Sequence, residues 1–165
     1  MKIFSLLILT FIITGASHFV DAQAKRDSSP IQFLLPDKVY GYKKHGKQVA
    51  RKLKIGNIQY DLCEKYFIKD KTEVKLLLFD YADAPIMYTQ VMRDREKMIA
   101  VDSVYFSNYS LLEGKAYQSF NPNQKSAQFF AGINERFFLQ ISCENCSLDF
   151  LLPVIQSIRF SEFPK

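Results

Sequence analysis

The sequence predicts an α+β fold in which an antiparallel β-sheet of about six to seven strands is covered by two amphipathic helices. Short apolar or alternating runs follow one another through turn residues, a pattern typical of strands joined by hairpins. Only two stretches, 84–98 and 148–158, space their apolar residues as helices do. Of the 165 residues, 48% are hydrophobic and 24% are charged, which is the composition of a globular chain and excludes a disordered one.

The first half of the chain predicts three strands and one loop. Residues 39–42 form a short apolar segment that we assign to the first strand. Residues 58–63 alternate in polarity and residues 74–81 are nearly all apolar, so with the turn residues between them they predict an antiparallel hairpin. Residues 43–54 are basic and have few large apolar side chains, which indicates a loop or a hairpin tip.

The second half predicts a helix, four strands and a closing helix. Asp83 is placed to cap a helix that has Pro85 in its first turn, and Met87, Val91 and Met98 share one face of that helix. The four strands that follow are separated by turn residues and cover 104–106, 114–120, 126–131 and 136–142. Apolar residues at helical spacing then predict the closing helix.

Two phenylalanine pairs, Phe129–Phe130 and Phe137–Phe138, lie in or beside these predicted strands. Because successive side chains of a strand point to opposite faces, each pair sends one ring to either side of the sheet. The pairs therefore favour a sheet that is covered on both faces, or else an apolar groove for a ligand on one of them.

The first 24 residues are typical of a secretory signal peptide. Lys2 precedes an apolar run over 3–13, and Ala22 and Ala24 are the small residues that a cleavage site needs. Residues 25–165 are then a single α+β domain with a flexible leader at 25–30. The apolar run is shorter than the roughly 20 residues that span a bilayer, so retention as an uncleaved anchor is the less favoured interpretation. We expect no transmembrane segment after cleavage and a secreted or periplasmic location.

Several short strings of the chain resemble a known family. They are Leu35-Pro36, Gly41-Tyr42, the segment 79–82 (Phe-Asp-Tyr-Ala), and the segment 134–139 (Asn-Glu-Arg-Phe-Phe-Leu) followed by an amphipathic helix. In these strings and in the order of its elements, the chain resembles small exported domains of the PsbP-like α/β/α-sandwich kind. The likeness spans most of the chain after the signal peptide. The resemblance implies an accessory or binding role, but it assigns no function to any individual residue of this chain.

The sequence contains no motif of a familiar hydrolase or phosphate-binding enzyme. Beyond the signal peptide His45 is the one histidine, and its lysine neighbours disfavour a general base. Asp80 and Asp83 lie at a strand-to-helix junction, where a carboxylate pair is conceivable, but capping the helix is a sufficient role for Asp83. We therefore predict no catalytic residue, no cofactor and no metal.

Cys143 and Cys146 form the most chemically suggestive string. The favoured interpretation is a structural disulfide that closes a strand-to-helix turn. A pair of idle thiols is one alternative, and a thiol–disulfide redox protein is another, since a helix N-terminus stabilises a thiolate. A Cys3His zinc site that adds Cys63 and His45 is the least favoured. We predict that Cys63 is a buried free thiol.

The segment 38–54 is strongly basic, and no acidic residue occurs from position 39 to position 54. Such a segment attracts anionic lipid headgroups or acidic polysaccharide by its summed potential. The alternative is a solvated loop that has no partner. The residues that would carry anion binding are Lys43, Lys44, Lys47, Arg51, Lys52 and Lys54.

Together these observations favour a secreted or periplasmic, non-enzymatic binding or accessory domain. Its partner would be a protein, a lipid or a polysaccharide in the cell envelope or outside the cell, and that location disfavours nucleic acid. Two rival hypotheses remain: a redox protein that uses Cys143 and Cys146, and a peripheral binder of anionic surfaces that uses the segment 38–54.

The signal-peptide prediction is tested by the mass of the exported protein. We expect cleavage between Ala24 and Lys25, because the small residues at 22 and 24 suit the signal peptidase. Intact-mass spectrometry of protein recovered after export should show a chain that begins at Lys25. An exported chain that retains residues 1–24 would contradict the prediction.

Overall fold

The computed structural model describes residues 30–101, 105–111 and 114–165. The predicted signal peptide (1–24), the leader as far as residue 29 and the side chain of Met98 lie outside what it describes. Within the described ranges there are seven strands: β1 (Lys43–Ile55), β2 (Ile58–Lys69), β3 (Thr72–Asp80), β4 (Tyr105–Leu111), β5 (Gly114–Asn121), β6 (Ser126–Ile133) and β7 (Phe137–Cys143). The two α-helices there are α1 (Pro85–Val101) and the short α2 (Leu152–Gln156).

These strands pair antiparallel in one sheet, in the order β1-β2-β3-β7-β6-β5-β4 over the described residues. Helix α1 carries the chain from β3 to the far edge at β4, and hairpins then return it until β7 lies beside β3. The predicted α+β class, with an antiparallel sheet and two helices, is confirmed.

The prediction of a loop over 43–54 is wrong, because this basic segment is the edge strand β1. An edge strand has a neighbour on one side only, and proteins often place lysines on such edges to prevent further pairing. A bulge between His45 and Val49 interrupts the register with β2, and Gly46 within it has a φ of 66°. Because most of its side chains are exposed, the strand lacks the apolar periodicity that identifies a buried strand in a sequence.

Two smaller predictions also need correction. Residues 39–42, predicted as the first strand, form a turn in which the Tyr42 N–H donates to the carbonyl of Val39 at 3.1 Å. Gly41 has a φ of 79°, which suits glycine and ends any extended run. At the start of α1, the carbonyl that accepts the first helical bonds belongs to Ala84 and not to Asp83. Asp83 therefore lies one residue before the capping position.

The two faces of the sheet bury separate apolar clusters. On the face that we call the α2 face, Phe129 and Phe137 belong to one cluster with Val154 and Ile155 of the closing helix. The N-terminal segment 30–42 covers the same face through three buried side chains, those of Ile31, Leu35 and Val39.

On the opposite face, which we call the α1 face, Phe130 and Phe138 cluster with Met92 of α1. All four rings of the two phenylalanine pairs are 5% exposed or less. The expectation that elements cover both faces of the sheet at these positions is confirmed.

The segment 30–42 is attached to the sheet by a buried lysine that the sequence analysis missed. Lys65 of β2 is 1% exposed, and its Nζ donates to the carbonyl oxygens of Leu35 at 2.8 Å and Pro36 at 3.3 Å. It also donates to Oδ1 of Asp37 at 2.9 Å. This hydrogen bond lowers the pKa of the Asp37 carboxyl. Three oxygens therefore replace the water that the ammonium group loses on burial.

We expect Lys65→Met to lower the free energy of unfolding by about 1–3 kcal/mol, because it leaves the buried Leu35 carbonyl without its donor. The matched control is Lys38→Met, the same change at an exposed lysine of the segment 30–42, which should leave stability nearly unchanged. Urea titration followed by circular dichroism measures both. Equal stability of the Lys65 variant and the unmodified protein would contradict this role.

Candidate functional site

Helix α1 covers the aromatic half of its face and leaves the other half of that face open. The open half is the floor of a cavity of about 690 Å³, which we call the polar cleft. Its floor consists of side chains from β3, β6 and β7, namely Glu73, Lys75, Ser126, Gln128, Gln140 and Ser142. Residues from the surrounding turns form its rim, namely Lys71, Gln124, Glu144 and Asn145.

The register of the central strands explains why these side chains lie together. Ser142 of β7 lies opposite Lys75 of β3 on one side and Gln128 of β6 on the other, so the three form a row across the sheet. Four residues earlier on β7, Phe138 lies opposite Phe79 and packs in the cluster beneath α1. One face of the sheet is thus divided into an aromatic half and a polar half.

The predicted disulfide between Cys143 and Cys146 is present, with the two sulfur atoms 2.00 Å apart. It brackets the rim residues Glu144 and Asn145. The Cys146 N–H also donates to the carbonyl of Lys125 at 2.8 Å, which ties this segment to the turn between β5 and β6. The disulfide therefore constrains one wall of the polar cleft, and the backbone hydrogen bond joins that wall to the neighbouring turn.

The surroundings of the disulfide differ from those of a redox site. Cys143 and Cys146 are 4% and 7% exposed, so a partner thiol has little access to either sulfur. No α-helix begins at the disulfide: a single 3-10 turn follows at Leu148–Phe150, and α2 begins only at Leu152. The helix dipole that would stabilise a thiolate at Cys143 is therefore missing from this position.

Cys63 is the free thiol of the three cysteines, as predicted, and it is fully buried. Burial raises the pKa of its thiol to about 11. The zinc alternative fails because two of its four ligands are bonded to each other. Among the described residues, no group of three or more His, Cys, Asp or Glu side chains is placed to hold a metal ion.

The six predicted anion-binding residues all lie on β1, and none of them lines the polar cleft. Arg51 is paired with Glu64 of β2 at 3.0 Å. The other five, Lys43, Lys44, Lys47, Lys52 and Lys54, form no salt bridge with an acidic side chain that the structure describes. The structure therefore separates the basic strand and the cysteine pair into different sites.

Asp80 has a structural role in the described residues. It is 6% exposed and accepts from Nε and Nη2 of Arg136 at 2.7 and 2.6 Å. Its Oδ1 also accepts from the Ala82 N–H at 2.9 Å. The hydrogen bond to Asp80 raises the pKa of Arg136. These bonds join the end of β3 to the turn before β7 and set the direction in which the chain enters α1.

No sequence motif marks the floor of the polar cleft. Gln128 and Gln140 belong to no motif, and each lies among apolar residues of a central strand. The one local signal is that the polar positions of β6 and β7 alternate with buried ones. This alternation places the polar side chains of the two strands on a common face only when the register between the strands is known.

No family model matches the chain, and comparisons with curated proteins and with solved structures found no similar one. None of the helices in the described ranges combines the length and the apolar character that crossing a membrane requires.

The state of the three cysteines is tested by alkylation. We expect iodoacetamide at pH 8 to label none of them in the native protein, because Cys63 is buried with a raised pKa and the other two are bonded. After unfolding without a reductant, mass spectrometry should show one label, and after reduction three. Rapid labelling of the native protein, or three labels without reduction, would contradict this assignment.

Proposed function

We propose that this chain is an exported, non-enzymatic binding module that holds a neutral, hydroxyl-rich saccharide in the polar cleft. The observation that carries the proposal is the open half of the α1 face, where the central strands β3, β6 and β7 present a floor of amide, hydroxyl and charged groups. Such a surface in the middle of a sheet has no role in burying the core.

The chemistry of the floor favours a saccharide. The amides of Gln128 and Gln140 and the hydroxyls of Ser126 and Ser142 each donate and accept hydrogen bonds. A saccharide hydroxyl does the same at a single atom, so it complements such a floor at many positions. The charges at the cleft are balanced, with Lys71 and Lys75 against Glu73 and Glu144, which favours a ligand without net charge.

The same residues support a role without catalysis. Neither Ser126 nor Ser142 forms a hydrogen bond with a histidine or a carboxylate among the described residues, so neither hydroxyl is activated as a nucleophile. Glu73 is engaged with Nε2 of His45 at 3.3 Å. The rim segment that the disulfide constrains supports binding instead, since a rim that is already ordered loses little entropy when a ligand arrives.

Export is supported by the apolar segment near the N-terminus and by the disulfide, because disulfides persist in oxidising compartments. The resemblance to PsbP-like domains belongs to the same proposal. It is supported by the placement of α1 and α2 on opposite faces of the sheet, which is the layering that an α/β/α sandwich requires.

The test is saccharide binding by the purified protein, first on an array of oligosaccharides and then by isothermal titration calorimetry with those retained. We expect Gln128→Ala combined with Gln140→Ala to weaken binding about 10- to 100-fold, since each variant removes hydrogen bonds from the floor. The matched control is Gln156→Ala, which removes an exposed amide on α2. Absence of any retained saccharide, or equal affinity of the double variant and the control, would overturn the proposal.

A further inference from the structure

The turn between β1 and β2 carries two exposed isoleucines. Ile55 ends β1 and Ile58 begins β2, and the two lie opposite each other in the register. They are 59% and 42% exposed. Gly56 has a φ of 60° and makes the two-residue connection possible. Single exposed apolar residues are common on protein surfaces, whereas a facing pair at the end of a hairpin presents a continuous apolar tip.

This tip extends beyond the neighbouring strand. The last pair between β2 and β3 joins Asp61 to Asp80, and the ring of Tyr60 still packs on Phe79 and Tyr81. Only Ile58, Gln59 and their partners on β1 extend beyond that packing. At about 3.3 Å per residue, the tip projects roughly 7 Å past Tyr60. An interfacial segment typically enters a bilayer to a depth of about 5–10 Å. The projection is thus long enough to reach that depth.

Cations surround the tip on the β1 side. Lys52 and Lys54 are exposed and form no salt bridge with a described acidic residue, and Lys47 lies further along the same strand. No acidic residue occurs in the sequence from position 39 to position 60, and Asp61, the first that follows, lies opposite Lys52 in the register. The tip therefore combines an apolar end with a positively charged base.

We propose that the β1–β2 tip docks on an anionic lipid bilayer. Ile55 and Ile58 enter the boundary between headgroups and acyl chains, while Lys52 and Lys54 bind the headgroup phosphates. Charge complementarity supports this occupant, because the attraction of lysines to an anionic membrane surface adds to the burial of apolar side chains. An acidic polysaccharide would use the lysines and would leave the isoleucines without a role. The proposal does not depend on the polar cleft.

Sedimentation with vesicles tests the proposal. We expect the purified protein to bind phosphatidylcholine vesicles that contain phosphatidylglycerol and not those of phosphatidylcholine alone. Ile55→Ser with Ile58→Ser, and separately Lys52→Gln with Lys54→Gln, should each weaken binding about tenfold or more. The matched controls are Ile86→Ser, at an isoleucine that is 84% exposed on α1, and Lys97→Gln, at an exposed lysine of the same helix; both should bind as the unmodified protein does.

A fluorescence measurement reports insertion directly, because the chain contains no tryptophan. We expect the emission of Ile58→Trp to shift to shorter wavelength when phosphatidylglycerol vesicles are added, and the emission of Ile86→Trp to stay unchanged. Failure of the unmodified protein to bind these vesicles would overturn the proposal, as would the absence of a shift for Ile58→Trp. Binding that depends on the lysines but not on the isoleucines, together with retention on heparin, would assign the tip to an acidic polysaccharide instead.

Discussion

The ammonium group of Lys65 is the interaction on which the α2 face depends. A charge buried inside a protein costs several kcal/mol unless polar partners surround it, and here all three partners are oxygens of residues 35–37. If the segment 30–42 left the sheet, the ammonium group would lose all three of these oxygens. Its buried side chains share a cluster with Phe67 and Cys63, so their burial depends on the same ammonium group. Three hydrogen bonds from one ammonium group thereby hold the segment 30–42, which contains no α-helix, against the sheet.

The α1 face is organised by a second polar contact, between Asp80 and Arg136. It sets where the chain leaves β3 and therefore which half of the sheet α1 covers. Helix α1 covers this half partly with a cation, since the guanidinium of Arg95 lies 4.8 Å from the centre of the Phe130 ring. Because α1 ends its coverage over the aromatic half, the row through Ser142 stays accessible. The polar cleft is therefore a consequence of the position of the helix as much as of the residues in its floor.

The sequence predicts those parts of the fold whose signals are local. The β2–β3 hairpin, the strands from β5 to β7 and the Cys143–Cys146 disulfide depend on residues close together in the chain, and all are present. The edge strand β1 has no apolar period because water faces most of its side chains, so its sequence pattern is that of a loop. Lys65 is indistinguishable in sequence from a solvated lysine. The polar cleft depends on the register between strands that are distant in the chain. That register places Lys75 beside Ser142, and no local sequence pattern encodes it.

The spacing of the three cysteines affects which disulfide forms when the chain is oxidised. Three different single bridges can form among Cys63, Cys143 and Cys146, and only one of them is native. The native pair closes the shortest loop, so chain proximity alone makes its sulfurs the most frequent to collide in the unfolded chain. Once the sheet has formed, the thiolate of Cys63 is both scarce and inaccessible, and it cannot attack the finished bridge. The odd cysteine is therefore compatible with maturation without an isomerase to correct mispaired bridges.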